Sequence, residues 1–321
     1  MQYLGEIISL LVACSWTITA LVSEIGTKRI GVLNFNVWRL FTAMLFTIIL
    51  VFCLTGHIGP QYAGPQTWFW MGLSGFVGFF FGDFCLFKSY LYISSRYGQL
   101  FMTLAPAASA IAAWLALGQV MSWMNVAAMM VTLMGIFIVI APSHKSEGAA
   151  TMKAGGLFGT TFRNGIIGGL YGVGAALGQG LGLVLSKIGM DYYAADIPSE
   201  SLADMEHIIP FSANMIRCLV GFACFLAVVL LNRGGKNLAL AIADRKTSLS
   251  VFLAVMFGPF LGVAFSLMAV QLTKVGIAQT LMAITPILII LPSYWLFKQP
   301  ITLRGVIGAA ISVVGASMFF W

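Results

Sequence analysis

Hydrophobic side chains fill 60% of the 321 residues and charged ones only 8%, against about 45–50% and about 25% in soluble domains. No stretch is polar enough to fold as a water-exposed domain, so the chain is an integral membrane protein. A net charge of +7 arises from basic residues scattered over short loops, which is a topology signal and excludes a nucleic-acid surface.

Taken in chain order, windows of about 20 apolar residues, the length a bilayer core about 30 Å thick demands of a helix, predict ten spans. They cover 4–24, 34–55, 66–88, 97–117, 121–141, 164–186, 209–231, 249–272, 275–297 and 302–321. Period-two alternation over ten-residue segments is absent, so the spans are helices and the fold is an all-α membrane bundle. The N-terminus lacks a basic leader, carries Glu6 and shows no cleavage site, so the first helix is expected to be retained. Cys14, Cys53, Cys85, Cys218 and Cys224 fall inside spans without metal-ligand spacing, and His57, His144 and His207 fall in loops. These read as core filling and loop residues, and no metal or cofactor is expected.

The stretch 142–163, with its Ser, Gly, Ala and Lys, reads as a linker between a first unit, 1–141, and a second, 164–321. The second rewrites the first. Asn36-Val37-Trp38-Arg39 returns as Asn214-Met215-Ile216-Arg217. Gly78, Gly82, Gln99, Met102, Pro106, Gln119 and Gly135 return 180 positions later as Gly258, Gly262, Gln279, Met282, Pro286, Gln299 and Gly315. A constant offset across these pairs marks two structural repeats. Five is odd, so a repeated five-helix unit enters the bilayer the opposite way up, and the halves are expected to be inverted repeats, an architecture of secondary transporters.

Loops on one side hold Lys28, Arg29, Lys88, Arg96, Lys145, Lys153, Arg163, Arg233, Lys236, Arg245, Lys246, Lys298 and Arg304, against Lys187 and Lys274 on the other. The positive-inside rule places the richer side in the cytoplasm and both termini outside. The acidic 187–208 loop agrees.

These features together resemble the EamA-type branch of the drug/metabolite transporter superfamily. The signs are Trp16 in helix one, Asn-x-x-Arg opening helices two and seven, and Gly-x-x-x-Gly in helices three and eight. To these are added Gln-x6-Pro in helices four and nine (Gln99 to Pro106, Gln279 to Pro286), then Gln119 to Ser122 and Gln299 to Thr302 before the last helix of each half. The resemblance implies two five-helix repeats, a small-molecule solute and residence in a bacterial inner membrane. It also implies cytoplasmic termini, opposite to the charge bias. Where the family commonly has Gly-Glu before the last helix of a repeat, this chain has Gly118-Gln119 and Lys298-Gln299. The mid-helix carboxylate of the small multidrug resistance branch is also missing, since helix one reads Cys14-Ser15-Trp16-Thr17.

Asp83 is the one acidic residue well inside a predicted span. It is either a coupling carboxylate or the ion-pair partner of Arg39. Arg39 and Arg217 are candidates for gates, Glu24 reaching Arg39 at one face and Asp204 or Glu206 reaching Arg217 at the other; both arginines also read as interfacial anchors. Pro106, Pro259, Pro286 and Pro292 break helices four, eight and nine and free backbone carbonyls near a binding site. Gln99, Thr103, Gln279, Thr280 and Thr285 would offer neutral hydrogen-bond partners there, with Trp16, Tyr90, Tyr171 and Gln179 completing the lining. Gly174, Gly178 and Gly182 put small residues on one face of helix six for close packing.

The expected function is secondary transport of a small metabolite or amphipathic compound, outward, by alternating access, with protons as a possible driving ion. A membrane-embedded enzyme or a receptor is the alternative, though no cluster of His, Asp, Glu or Cys lies within the spans and no Walker motif is present. With only Arg39 and Arg217 in the spans, a neutral, zwitterionic or aromatic solute suits the lining better than a phosphorylated one.

Overall fold

A computed structural model of the chain describes residues 3–140, 162–232, 238, 244–290, 292 and 303–320. Every regular element among them is helical. Six helices are long and apolar enough to cross a bilayer: Leu4–Ile30, Val32–Thr55, Pro65–Ile93, Asn164–Asp196, Ile209–Leu231 and Arg245–Leu272. Four shorter apolar helices join them, Ala105–Leu117, Trp123–Ile138, Val275–Leu288 and Val306–Ser317. The expected ten spans thus meet six helices of spanning length and four shorter ones. Two of the four are cut short by turns at Thr103-Leu104 and Ala283-Ile284, just ahead of Pro106 and Pro286. The predicted linker lies almost wholly outside the described residues.

Helix α1 (Leu4–Ile30) and α2 (Val32–Thr55) are joined by Gly31 alone. Its φ of +79° falls in the left-handed region, and a Cβ there would meet nothing within 4 Å, so conformation and not space demands glycine. Helix α3 (Pro65–Ser74) takes Pro65 in its first turn, where the missing N–H costs nothing. It runs through a π-helical stretch, Gly75–Gly82, into α4 (Asp83–Met102).

The chain doubles back within α4. Gly98 lies against Tyr90 and Ser89, residues that would stand about 12 Å away along a straight helix. At the reversal, Glu24 Oε2 accepts the Ser95 backbone N–H at 3.0 Å. In the second half the N–H of Val275, 180 positions beyond Ser95, donates to Oε1 of Gln119 from the first half at 3.1 Å. A side-chain oxygen therefore caps a freed amide at corresponding points of both halves.

Helices α5 (Ala105–Leu117) and α6 (Trp123–Ile140) end the first half. The second holds α7 (Phe162–Asp196), a short α8 (Ser199–Met205), α9 (Ile209–Leu231) and α10 (Arg245–Val255). A π-helical stretch, Met256–Phe260, leads on to α11 (Leu261–Leu272), α12 (Val275–Met282), α13 (Thr285–Leu288) and α14 (Leu303–Ser317). The π stretch contains Pro259, which cannot donate, and Gly258 leaves helical geometry at φ −97°, ψ −107°. Asn214 Nδ2 donates to the buried Pro259 carbonyl at 2.5 Å. Shifted by 180, this segment falls within Gly75–Gly82, so both halves loosen the same helix at the same place.

Helix α7 packs along α3, α4 and α5, while α1 lies against α10, α11 and α12, and α2 against α9. Glycines set the closest approaches. A Cβ on Gly178 would sit 2.7 Å from the Gly82 Cα, and one on Gly182 2.8 Å from the Gly78 Cα. Packing brings these backbones together, since in lipid no hydrophobic force does so. Ser74 Oγ adds a hydrogen bond to the Gly182 carbonyl at 2.6 Å.

Helices α6 and α14 meet reciprocally. Ser312 Oγ donates to the carbonyl of Thr132, its counterpart 180 positions earlier, at 3.1 Å. A Cβ on Gly135 would strike Ser312, and one on Gly315 would strike Thr132. A contact in which i meets j′ and j meets i′ is the mark of a local two-fold relation. Outward faces carry large apolar side chains such as Leu115, Phe137 and Leu231, which suits a hydrocarbon surround.

Candidate functional site

A cavity of about 70 Å³ opens where both halves meet. Trp16, Thr19 and Ala20 come from α1, Arg39 from α2, and Phe79, Asp83, Leu86, Phe87, Tyr90, Gln99 and Met102 from the π stretch and α4. Gln179 of α7, Gly258 and Val263 close it. Room for several waters remains, at roughly 10–15 Å³ each. A site enclosing a metabolite needs about 300 Å³ or more, which is more than this cavity offers.

Its polar heart is a buried ion pair between Arg39 and Asp83, whose side chains are 4% and 7% exposed. Each charge has further partners. Arg39 Nε donates to Asn36 Oδ1 at 3.2 Å, and the guanidinium lies 4.8 Å from the centre of the Phe87 ring. Gln179 Nε2 donates to Asp83 Oδ1 at 2.6 Å and to the Gly78 carbonyl at 3.3 Å. Such saturation is what lets a charge pair survive desolvation. Nearby, Gln99 Nε2 donates to Tyr90 Oη at 2.8 Å.

Of the residues expected to line a site, the cavity gathers Trp16, Tyr90, Gln99, Gln179, Arg39 and Asp83. Others stand elsewhere. Tyr171 stacks on Tyr92 at 6.0 Å between centres, Thr280 Oγ1 donates to the Gly276 carbonyl, and Thr285 Oγ1 donates to the Met282 carbonyl. Thr103 belongs to the turn ahead of α5, while Pro106 and Pro286 sit in the first turns of α5 and α13. Gln279 is buried away from the cavity.

The expected gate pairs are not those found. Glu24 binds Lys28 Nζ at 2.5 Å and the Ser95 N–H, while Arg39 turns inward to Asp83. Glu24 and Lys28 are one helical turn apart, so their pairing needs no closure of the bundle. Arg217 is buried over the Phe79 ring, 4.6 Å from its centre, and no ion pair joins it to Asp204 or Glu206 among the described residues.

Lining residues missed by the sequence reading are Thr19, Ala20, Phe79, Leu86, Phe87, Met102, Gly258 and Val263. Helical spacing could have found most of them. Thr19 and Ala20 are three and four residues beyond Trp16, Leu86 and Phe87 three and four beyond Asp83, and Met102 three beyond Gln99.

The model of the EamA-like transporter family matches residues 3–141 and again 166–321. The two matched blocks, the buried charge cluster between them and the apolar helices define a membrane transporter of the drug/metabolite transporter type. The chain belongs to the EamA-like transporter family. No curated protein matches it. Among 27 matching solved chains, one crystal structure of a protein superposes with TM-score 0.65 at 18% identity, over 99% of this chain and 96% of that one. At that identity the likeness speaks for the fold alone.

Proposed function

We propose that this protein is a secondary active transporter that exports a small metabolite or amphipathic compound across a bacterial inner membrane by alternating access. Ten helices form two inverted five-helix repeats, 1–141 and 164–321, and their exchange of roles moves the opening from one face to the other. The observation that carries this reading is the Arg39–Asp83–Gln179 cluster, in which groups from both halves share one buried carboxylate beside a cavity. The reciprocal Ser312–Thr132 contact supports it, as do the matching π stretches.

Asp83 is the coupling group in this scheme. A proton arriving on its carboxylate cancels the attraction to Arg39 and frees α4 to move against α2 and α7. Trp16, Tyr90, Phe79 and Phe87 offer apolar and aromatic surface to the body of the solute, and Gln99 and Gln179 offer hydrogen bonds.

Purified protein reconstituted in vesicles tests the proposal. Efflux over a panel of amino acids, sugars and cationic dyes is followed with and without a pH gradient. Movement of one class that collapses with the gradient, and that Asp83→Asn uncouples, supports it; failure of every solute to move overturns it.

A further inference from the structure

The two halves treat their equivalent polar residues very differently. In the first, Arg39 and Gln99 line the cavity and both find partners, in Asp83 and Tyr90. Their counterparts are Arg217 and Gln279. Each is 3% exposed, and among the described residues Arg217 Nε, Arg217 Nη1 and Gln279 Oε1 have no hydrogen-bond partner.

The sequence explains why. Positions 263 and 270, which correspond to Asp83 and Tyr90, are both valine. Asn36 offers its Oδ1 to Arg39 Nε, whereas the Oδ1 of its counterpart Asn214 is met by the Cys218 thiol at 3.9 Å. The second half therefore repeats the cation and the amide without the carboxylate and the phenol that meet them in the first.

Buried unpartnered donors and acceptors are rare because they forfeit solvation, and a buried cation forfeits more. Asp83 lies within electrostatic range of Arg217 but is bonded to Arg39 and Gln179. Arg39, Asp83 and Arg217 together leave one positive charge uncompensated. A cationic solute would worsen that imbalance and a neutral one would leave it. A monoanion removes it, and a carboxylate also supplies the acceptor geometry that guanidinium N–H groups match.

From this asymmetry we infer that Arg217 and Gln279 form a latent half-site for the carboxylate of an amphipathic monocarboxylate solute, opened when the second half takes up the arrangement now held by the first. Gln279 Oε1 accepts an N–H or O–H of the same solute. The inference rests on the alternating-access reading above, and it narrows the solute to a carboxylate.

Benzoate, benzamide and benzylamine, one aromatic body carrying an anionic, a neutral and a cationic group, are titrated into the purified full-length protein. Calorimetry and thermal unfolding are the readouts. Wild type should bind benzoate about tenfold or more tightly than the other two. Arg217→Gln should lose that preference. Val263→Asp should lose it too, because it restores the missing carboxylate while keeping the arginine, and it serves as the test if Arg217→Gln does not fold.

Absence of benzoate binding to wild type, equal binding of benzamide, or an undiminished benzoate preference in Val263→Asp overturns the inference. Transport in vesicles separates it from the broader reading. Benzoate that binds through Arg217 without crossing the membrane refutes transport and keeps the half-site, whereas benzamide carried as well as benzoate refutes the half-site and keeps transport.

Discussion

The side-chain amide of Gln179 and the carboxylate of Asp83, 2.6 Å apart, tie the second half of the chain to the first at the centre of the bundle. Gly178, the residue beside Gln179, makes the bond possible by letting α7 approach Gly82 backbone to backbone. Small residues and a buried charge thus act as one device, the glycines bringing the helices close enough for the amide to reach the acid.

Removing one partner of the buried pair should be costly. Asp83→Asn leaves Arg39 without a counter-ion, a loss of about 3–5 kcal/mol. The double variant Arg39→Met with Asp83→Leu should recover most of that stability while abolishing transport. Thermal unfolding in detergent checks both; a double variant no more stable than the single one would refute the account.

Glycine contacts predict a graded response. Gly178→Ala places a methyl group 2.7 Å from the Gly82 Cα, whereas Gly72→Ala meets nothing closer than 3.6 Å. The first should lose about 1–3 kcal/mol through overpacking and the second should be near neutral. Unfolding temperatures of the two variants, measured side by side, decide the matter.

Filling the cavity should stop transport without unfolding the protein. Ala20 lines it and is 2% exposed, so Ala20→Phe occupies the space proposed above for the solute. Tyr171→Phe, away from the cavity, should transport at the wild-type rate. The comparison uses vesicle efflux, with equal yields of folded protein as the control.

Acid should weaken the start of α10. Asp244 caps that helix, accepting from the Thr247 N–H at 3.1 Å and from Thr247 Oγ1 at 2.9 Å, with Arg29 Nη1 at 2.7 Å. These bonds hold its carboxyl below the ordinary value of 3.8. A folded pKa lower than the unfolded one means the stabilisation is fully present above 3.8 and fades as pH falls through the depressed folded value. The difference in unfolding temperature between wild type and Asp244→Ala should therefore be constant near neutrality and shrink below about pH 4. A difference independent of pH would contradict the cap.

Much of this arrangement was legible in the residues themselves. The offset of 180 marked the paired prolines and glycines, and the matching π stretches and capped amides fall on it. Asp83, isolated in an apolar helix, had to find a partner, and Arg39 was within the range of candidates. Which partner Glu24 would take was not legible, because Lys28 one turn away competes with a distant arginine on equal terms in sequence. Nor was the imbalance between halves. Gln99 and Gln279 look identical along the chain, but Gln99 meets Tyr90, whereas position 270 is valine and Gln279 Oε1 has no partner among the described residues.

Neither α6 nor α14 contributes a wall to the cavity, and their mutual grip is the same read from either partner. Such a pair serves as a ruler. Under the proposed alternating access, spin labels at the exposed positions Phe137 and Val313 should report one unchanging separation, a stationary mark from which the displacement of every other helix can be surveyed.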